Sequence, residues 1–217
     1  MMLVLGFEPY GGHAVNPSQR LAEALDGRRI GGRRVRGDVL PVRYDTLHSR
    51  VEALLREHRP SAVVAFGLRP GESAICLERT AFNRNDFDLA DNAGARECGA
   101  VRTDEPERRT ATLPVAHLRA ALLRRGIPAR ISDDAGRFLC NALMYSLLSH
   151  AEALEPAPPA GFVHLPYLPE QIATMLGSSR ADLANERCPT TVPASMSLEL
   201  AIRAAETLVE ETLGAFA

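Results

Sequence analysis

Short apolar runs alternate with amphipathic stretches along most of the chain. Residues 2–6 (MLVLG) and 62–66 (AVVAF) are apolar at nearly every position, the pattern of strands covered on both faces in a parallel sheet. Residues 35–42, 129–132 and 161–165 read as further strands, and 74–83 is β-branched and alternating enough to be another. Between these runs the apolar spacing turns helical. Asn16-Pro17 is an N-cap followed by proline at the first helical position, opening a helix to about Leu25. Asp45 is expected to cap a helix with Leu47, Val51, Leu54 and Leu55 on one face, ended by Pro60. Helices are also predicted over 115–125, 136–150 and 197–213, whereas 86–112 is polar, rich in Gly, Pro and charge, and predicted to be a long excursion with at most a hairpin. Strands alternating with helices predict an α/β fold, with a parallel or mixed sheet covered on both faces.

At 217 residues, one domain over 1–217 is expected. Hydrophobic residues at 46% and charged residues at 24% suit a globular protein, and a formal charge of -2 gives no footprint for nucleic acid or an anionic membrane. The sequence begins as a strand rather than a leader, and no apolar run approaches the roughly 20 residues of a membrane span, so a cytoplasmic location is expected. All 25 basic residues are arginine, which removes every mechanism that needs a lysine amine: Walker-type phosphate loops, kinases, Schiff-base aldolases and pyridoxal enzymes. The four cysteines (Cys76, Cys98, Cys140, Cys188) form no CxxC pair and are expected to be reduced thiols. The six histidines show no metal-ligand spacing, so no metal is expected.

In folds of this type reactive groups gather where strands lead into helix N-termini, which points to the loops over 7–16, 68–73, 132–140 and 164–171. Cys140 stands near the start of a predicted helix, where the positive end of the helix dipole and backbone N–H groups favour a thiolate and could bind an oxyanion. An inert buried cysteine is the alternative. His164 ends an apolar strand, and Pro166 and Pro169 after it are expected to fix a rigid loop that could hold the imidazole near a thiol. Glu78 interrupts an apolar strand, where a charge is costly to bury without a partner. Each could instead be structural, His164 at a strand end and Glu78 on an exposed edge. Together they supply a nucleophile, a base and an orienting acid from three strand ends.

Five segments carry a resemblance to one family. GFEPYGGHAVNPS resembles the GFxPFGG…NPS signature of the pyroglutamyl peptidase I family; LERTAFN, SDDAGRFLCNALMY and GFVHLPYLPEQ resemble its glutamate-, cysteine- and histidine-bearing segments, and SMSLELAI the start of its final helix. The matches stand in family order and span nearly the whole chain. The resemblance implies a three-layer αβα sandwich with a mixed, largely parallel sheet, and a cofactor-free thiol mechanism that removes N-terminal pyroglutamate from peptides. It puts the catalytic glutamate, cysteine and histidine on Glu78, Cys140 and His164, and the aromatic residues that help enclose the lactam ring on Phe7 and Tyr10. It also implies a homo-oligomer, a dimer or commonly a tetramer.

Tyr10 replaces the family's more usual phenylalanine, adding a hydroxyl that needs a partner when buried. Where many bacterial members have a DxRIPDN motif, this chain has Asp88 at the arginine and Ala90 at the proline, and Leu68 stands where many have glutamine. A carboxylate at Asp88 is expected to repel Glu78 and slow catalysis unless another arginine, with Arg79 and Arg84 nearest in sequence, fills the space. Two other readings stay open: an amidohydrolase of another small lactam or N-acyl amide, and a relative that binds such ligands without turning them over.

Overall fold

The apolar run at the start of the chain forms strand β1 (Met2–Phe7), buried at all six positions. The computed structural model describes residues 1–178 and 192–216. After β1 come α1 (Pro17–Leu25), β2 (Arg29–Ile30), β3 (Arg33–Leu40), α2 (Tyr44–His58), β4 (Ala62–Leu68), β5 (Ile75–Glu78), β6 (Thr80–Phe82), β7 (Asn85–Asp86), β8 (Cys98–Gly99) and β9 (Arg108–Thr110). The remainder is α3 (Val115–Arg124), β10 (Ala129–Ser132), α4 (Leu139–Glu152), β11 (Ala160–Leu165), α5 (Pro169–Ser178) and α6 (Leu198–Ala215).

Seven of these strands join in one sheet, in the order β10-β5-β11-β4-β1-β3-β2 among the described residues. The β1–β3, β1–β4, β4–β11 and β5–β10 pairs are parallel, while β5–β11 and β2–β3 are antiparallel, so the sheet is mixed and largely parallel as expected. Alternation along the strands divides the core. Leu3, Leu5, Val63, Ala65 and Phe162 meet α2 and α4 on one face, and Met2, Val4, Val64, Phe66 and Val163 meet α1, α3 and α6 on the other. This is the three-layer arrangement. Helix α1 lies directly on the sheet, because a Cβ on Gly6 would fall 2.1 Å from the Ser18 carbonyl oxygen and one on Gly37 2.0 Å from that of Ala22.

Four details differ from the sequence reading. Helix α2 begins at Tyr44 with Arg43 as N-cap, so Asp45 lies in the first turn and pairs with Arg43; the Tyr44 N–H is instead met by Asp91 Oδ2 at 2.9 Å. The strand expected over 74–83 breaks at Arg79 into β5, which joins the main sheet, and β6, which leaves it to pair with β9. The polar excursion carries two small ribbons rather than one hairpin, β6–β9 and β7–β8. The loop expected around Pro166 and Pro169 opens instead into α5, because proline at the first position of a helix gives up only an N–H that has no helical partner.

Candidate active site

The ladder registers bring the site together. Gly67 lies opposite His164 in the β4–β11 pair, and Phe162 and His164 lie opposite Glu78 and Cys76 in the β11–β5 pair. Partners in a ladder point to the same face. Gly67, His164, Phe162 and Glu78 therefore share the face covered by α4, whose second residue is Cys140. A Cβ on Gly67 would lie 2.9 Å from Cys140 Sγ and 2.7 Å from Phe162 Cζ, so the missing side chain is the slot that seats the thiol in the register of His164. The phenyl ring of Phe162 packs against the imidazole at 4.9 Å between centroids.

His164 Nδ1 and Glu78 Oε1 are 2.7 Å apart, with the histidine 3% and the glutamate 0% exposed. An ionised carboxylate can only accept, so Nδ1 carries the proton and a neutral imidazole keeps Nε2 free to receive one. Arg69, one residue past β4, donates from Nη1 to the same Glu78 oxygen at 3.2 Å, and the other oxygen, Oε2, is buried with no protein partner. Arg69 was not singled out in the sequence, and it replaces both arginines that were: Arg79 pairs with Asp133 and Arg84 with Asp86. Asp88 is exposed and only its carbonyl is engaged, by Arg96. The side chains that reach Glu78 are Arg69 and His164, which gives no support to repulsion from Asp88.

Because β10 runs with β5, against β11, Ser132 leaves the sheet away from the edge where Gly67 and His164 end their strands, and the 133–138 segment returns to start α4 beside Gly67. The expectation that 132–140 departs from the shared edge is corrected by this antiparallel insertion. Phe138 is the N-cap of α4 and makes no side-chain cap hydrogen bond, which leaves the leading N–H groups of the helix available around the thiol. They do not produce a resting thiolate. Burial, helped by the negative charge of Glu78, pushes the Cys140 thiol up to about 12, against the opposing pull of Arg69 and its own backbone N–H. At 8% exposure desolvation wins, so the expected thiolate is a thiol at rest.

Aromatic side chains border the thiol. The Tyr10 ring lies 5.7 Å from that of Phe138, which meets Phe87 at 4.6 Å, while His13 lies 5.5 Å from Tyr167. Burial, then the nearby Cys140 and Tyr167, raises the Tyr10 hydroxyl above the ordinary tyrosine range. Phe7, by contrast, is 2% exposed within the core, so it supports this wall from below. The first loop is pinned by its own motif: Asn16 Nδ2 donates to the Glu8 carbonyl at 2.9 Å, and Glu8 Oε1 accepts from Val42 N at 2.9 Å and Asn92 Nδ2 at 2.8 Å. Asp91 accepts from Tyr44 N, Ala93 N and Ala95 N, each at 2.9 Å, which locks the 86–92 segment beside it. Leu68 points to the other face, against Tyr167 and Ile172.

Cys76 is buried and Cys98 exposed, both as free thiols, and Cys188 lies outside the described residues. Among the described residues no group of three or more His, Cys, Asp or Glu side chains could hold a metal ion. A groove of about 670 Å³ lies where β4 and β11 begin, lined by Pro60, Arg109, Leu148 and Pro159 among others, and contains neither cysteine nor histidine. It is at the other end of the sheet from Cys140.

Comparison with known proteins agrees with this arrangement in outline. The sequence profile of the family described as pyroglutamyl peptidase matches residues 1–213. A pyrrolidone-carboxylate peptidase of Pyrococcus furiosus is 38% identical over 213 residues, covering 98% of this chain and 97% of its own. One from Gloeobacter violaceus is 41% identical over 184 residues, covering 84% and 89%. The X-ray structure of the pyrrolidone carboxyl peptidase from P. furiosus superposes with a TM-score of 0.91 at 38% identity, covering 100% of this chain and 99% of that one.

Proposed function

The chain belongs to the pyroglutamyl peptidase family, and from that premise we propose that it removes N-terminal pyroglutamate from peptides, with Cys140 as nucleophile, His164 as base and Glu78 as the orienting acid. The observation that carries the reading is the seating of the Cys140 thiol against Gly67, in register with a histidine whose Nδ1 is held at 2.7 Å by a buried carboxylate.

Because the thiol is protonated at rest, attack and proton removal belong to one step. Sγ bonds to the carbonyl carbon that joins pyroglutamate to the next residue as Nε2 of His164 takes the thiol proton. The carbonyl electrons move to oxygen, where the free leading N–H groups of α4 are available to stabilise them. The C–N bond then breaks as the imidazolium gives its proton to the departing amine, leaving a thioester. Water attacks the thioester and loses a proton to His164, and collapse releases pyroglutamate while Sγ recovers its proton. No metal or cofactor enters this sequence.

Tyr10 and Phe138 offer apolar ring surface to the uncharged lactam, with Phe7 beneath them. A substrate with a free terminal ammonium would instead have to shed its water there, at a cost in free energy. We further propose one domain over 1–217 acting in the cytoplasm as a homo-oligomer, a dimer or tetramer, with peptides rather than nucleic acid or membrane as its partner. A formal charge of -2 does little to oppose self-association. No helix among the described residues is long and apolar enough to cross a membrane. Release of aminocoumarin from pyroglutamyl-aminocoumarin, with prolyl-aminocoumarin as control and iodoacetamide as inhibitor, tests the activity. Equal turnover of both amides, or activity that survives prolonged iodoacetamide treatment above pH 9, where the thiol is expected to react, overturns it.

A further inference from the structure

We infer that Arg69 is a positioning residue for the peptidase reaction: its guanidinium holds the Glu78 carboxylate turned so that one oxygen fixes the His164 imidazole. This rests on the reading of Cys140, His164 and Glu78 given above.

Glu78 is fully buried, and a carboxylate in that setting keeps its charge only with a partner. The groups around it come from every neighbouring element: His164 from β11, Cys140 from α4, Cys76 from its own strand, Ser132 and Arg130 from β10, and Arg69 with Glu72 from the segment after β4. Of the two cations, Arg130 is clamped on Glu72 through both Nε and Nη2, whereas Arg69 touches Glu78 itself. Arg69 is also fixed from outside the site. Its Nη1 donates to the Asp134 carbonyl at 2.8 Å and lies 3.4 Å from Ser132 Oγ, its Nε is 3.3 Å from Glu72 Oε1, and its backbone N–H donates to Leu165 O at 3.0 Å, next to His164.

The decisive feature is convergence. Arg69 Nη1 and His164 Nδ1 meet the same oxygen, Oε1, while Oε2 has no partner. Without the guanidinium the carboxyl group is free to rotate. Rotation takes Oε1 away from Nδ1, and the imidazole loses the acceptor that keeps its proton on Nδ1 and leaves Nε2 open to the thiol. Arg69 thus acts through Glu78 on the tautomer of His164 and has no need to touch substrate.

The test is a double-mutant cycle of Arg69→Met and Glu78→Gln on pyroglutamyl-aminocoumarin, with Arg69→Lys as the conservative variant. Arg69→Met is expected to lower kcat roughly 10- to 100-fold, the scale of a charge-assisted hydrogen bond, with KM little changed. Arg69→Lys should recover part of the loss. In the Glu78→Gln background the same change should cost no more than about twofold, because the group it acts through is gone. Losses that multiply across the cycle, or a rise in KM at constant kcat, would overturn the inference. If Arg69→Met does not fold, Arg69→Gln, which keeps a donor for the Asp134 carbonyl without the charge, is taken through the same cycle against the same criteria. Turnover surviving in Cys140→Ser would overturn the peptidase reading itself. An inactive Cys140→Ser with multiplying losses would overturn only the role of Arg69.

Discussion

The slot at Gly67 makes Gly67→Ala the most informative single methyl group in the molecule. Gly67 lies within β4 and does not adopt a positive φ, so the backbone accepts alanine and the whole effect is steric. The added Cβ would sit 2.9 Å from Cys140 Sγ and 2.7 Å from Phe162 Cζ, with Phe162 Cε1 at 3.2 Å. Ordinary contact begins at 3.4 Å, so the thiol must retreat by roughly 0.5 Å and the ring by roughly 0.7 Å. Phe162 is 1% exposed and has little room to move. Overpacking of this kind costs about 1–3 kcal/mol, a fall of about 3–10 °C in melting temperature for a chain of this size. The catalytic cost should be larger in proportion, because an ångström-scale misplacement of a reacting atom reaches about 100-fold in rate. The assay is kcat and KM on pyroglutamyl-aminocoumarin beside thermal melting, for Gly67→Ala alone and with Phe162→Leu. Removing the ring relieves one clash and leaves the other, so the double variant should regain stability without regaining kcat. Wild-type kcat in Gly67→Ala would refute the seating of the thiol against this glycine.

Other expectations follow from particular contacts. Asp91→Ala strips the cap from α2 and leaves three backbone N–H donors without their acceptor, and should cost about 2–3 kcal/mol, read as a melting temperature about 5–10 °C lower; a shift under about 2 °C would contradict this. Because burial pushes the Cys140 thiol up to about 12, its alkylation by iodoacetamide should be slow near neutral pH and still rising above pH 9, and a plateau at or below the free-thiol value of about 8.5 would show a stable thiolate instead. His48 and His150 are both held below the ordinary histidine pKa, by burial first and then by the charge of Arg102. The unfolded chain therefore binds protons that the fold excludes, so stability should fall as pH drops below about 6.5, and His48→Asn/His150→Gln should flatten that slope. An unchanged slope would refute the assignment.

Much of the sheet was legible because buried parallel strands write themselves as unbroken apolar runs, as at 2–6 and 62–66. Glu78 and His164 stood out for the same reason, as polar groups in strands that had no room for them. What the sequence hid was set by distant partners. The direction of β5 depends on pairing with β11, with His164 and Glu78 86 residues apart along the chain, and local propensity does not encode it. The acceptor for the Tyr44 N–H at the start of α2 is Asp91, 47 residues away, so the nearer Asp45 was the natural choice and the wrong one. Arg69 could not be told from the other members of a set of 25 arginines, although an arginine directly after a buried strand, nine residues before a buried acid, was a usable signal. For α5 the signal was present in Pro169, since proline starts helices as readily as it ends them.

The central claim is that Cys140 carries the pyroglutamyl group through turnover, and acid-quenched turnover followed by peptide mass spectrometry tests it most directly. The account predicts one pyroglutamyl adduct, labile to hydroxylamine as a thioester should be, on the peptide that contains Cys140. The adduct and the activity should both vanish in Cys140→Ser while Cys76→Ser and Cys98→Ser keep them. An adduct on any other residue, or continued turnover in Cys140→Ser, would contradict it.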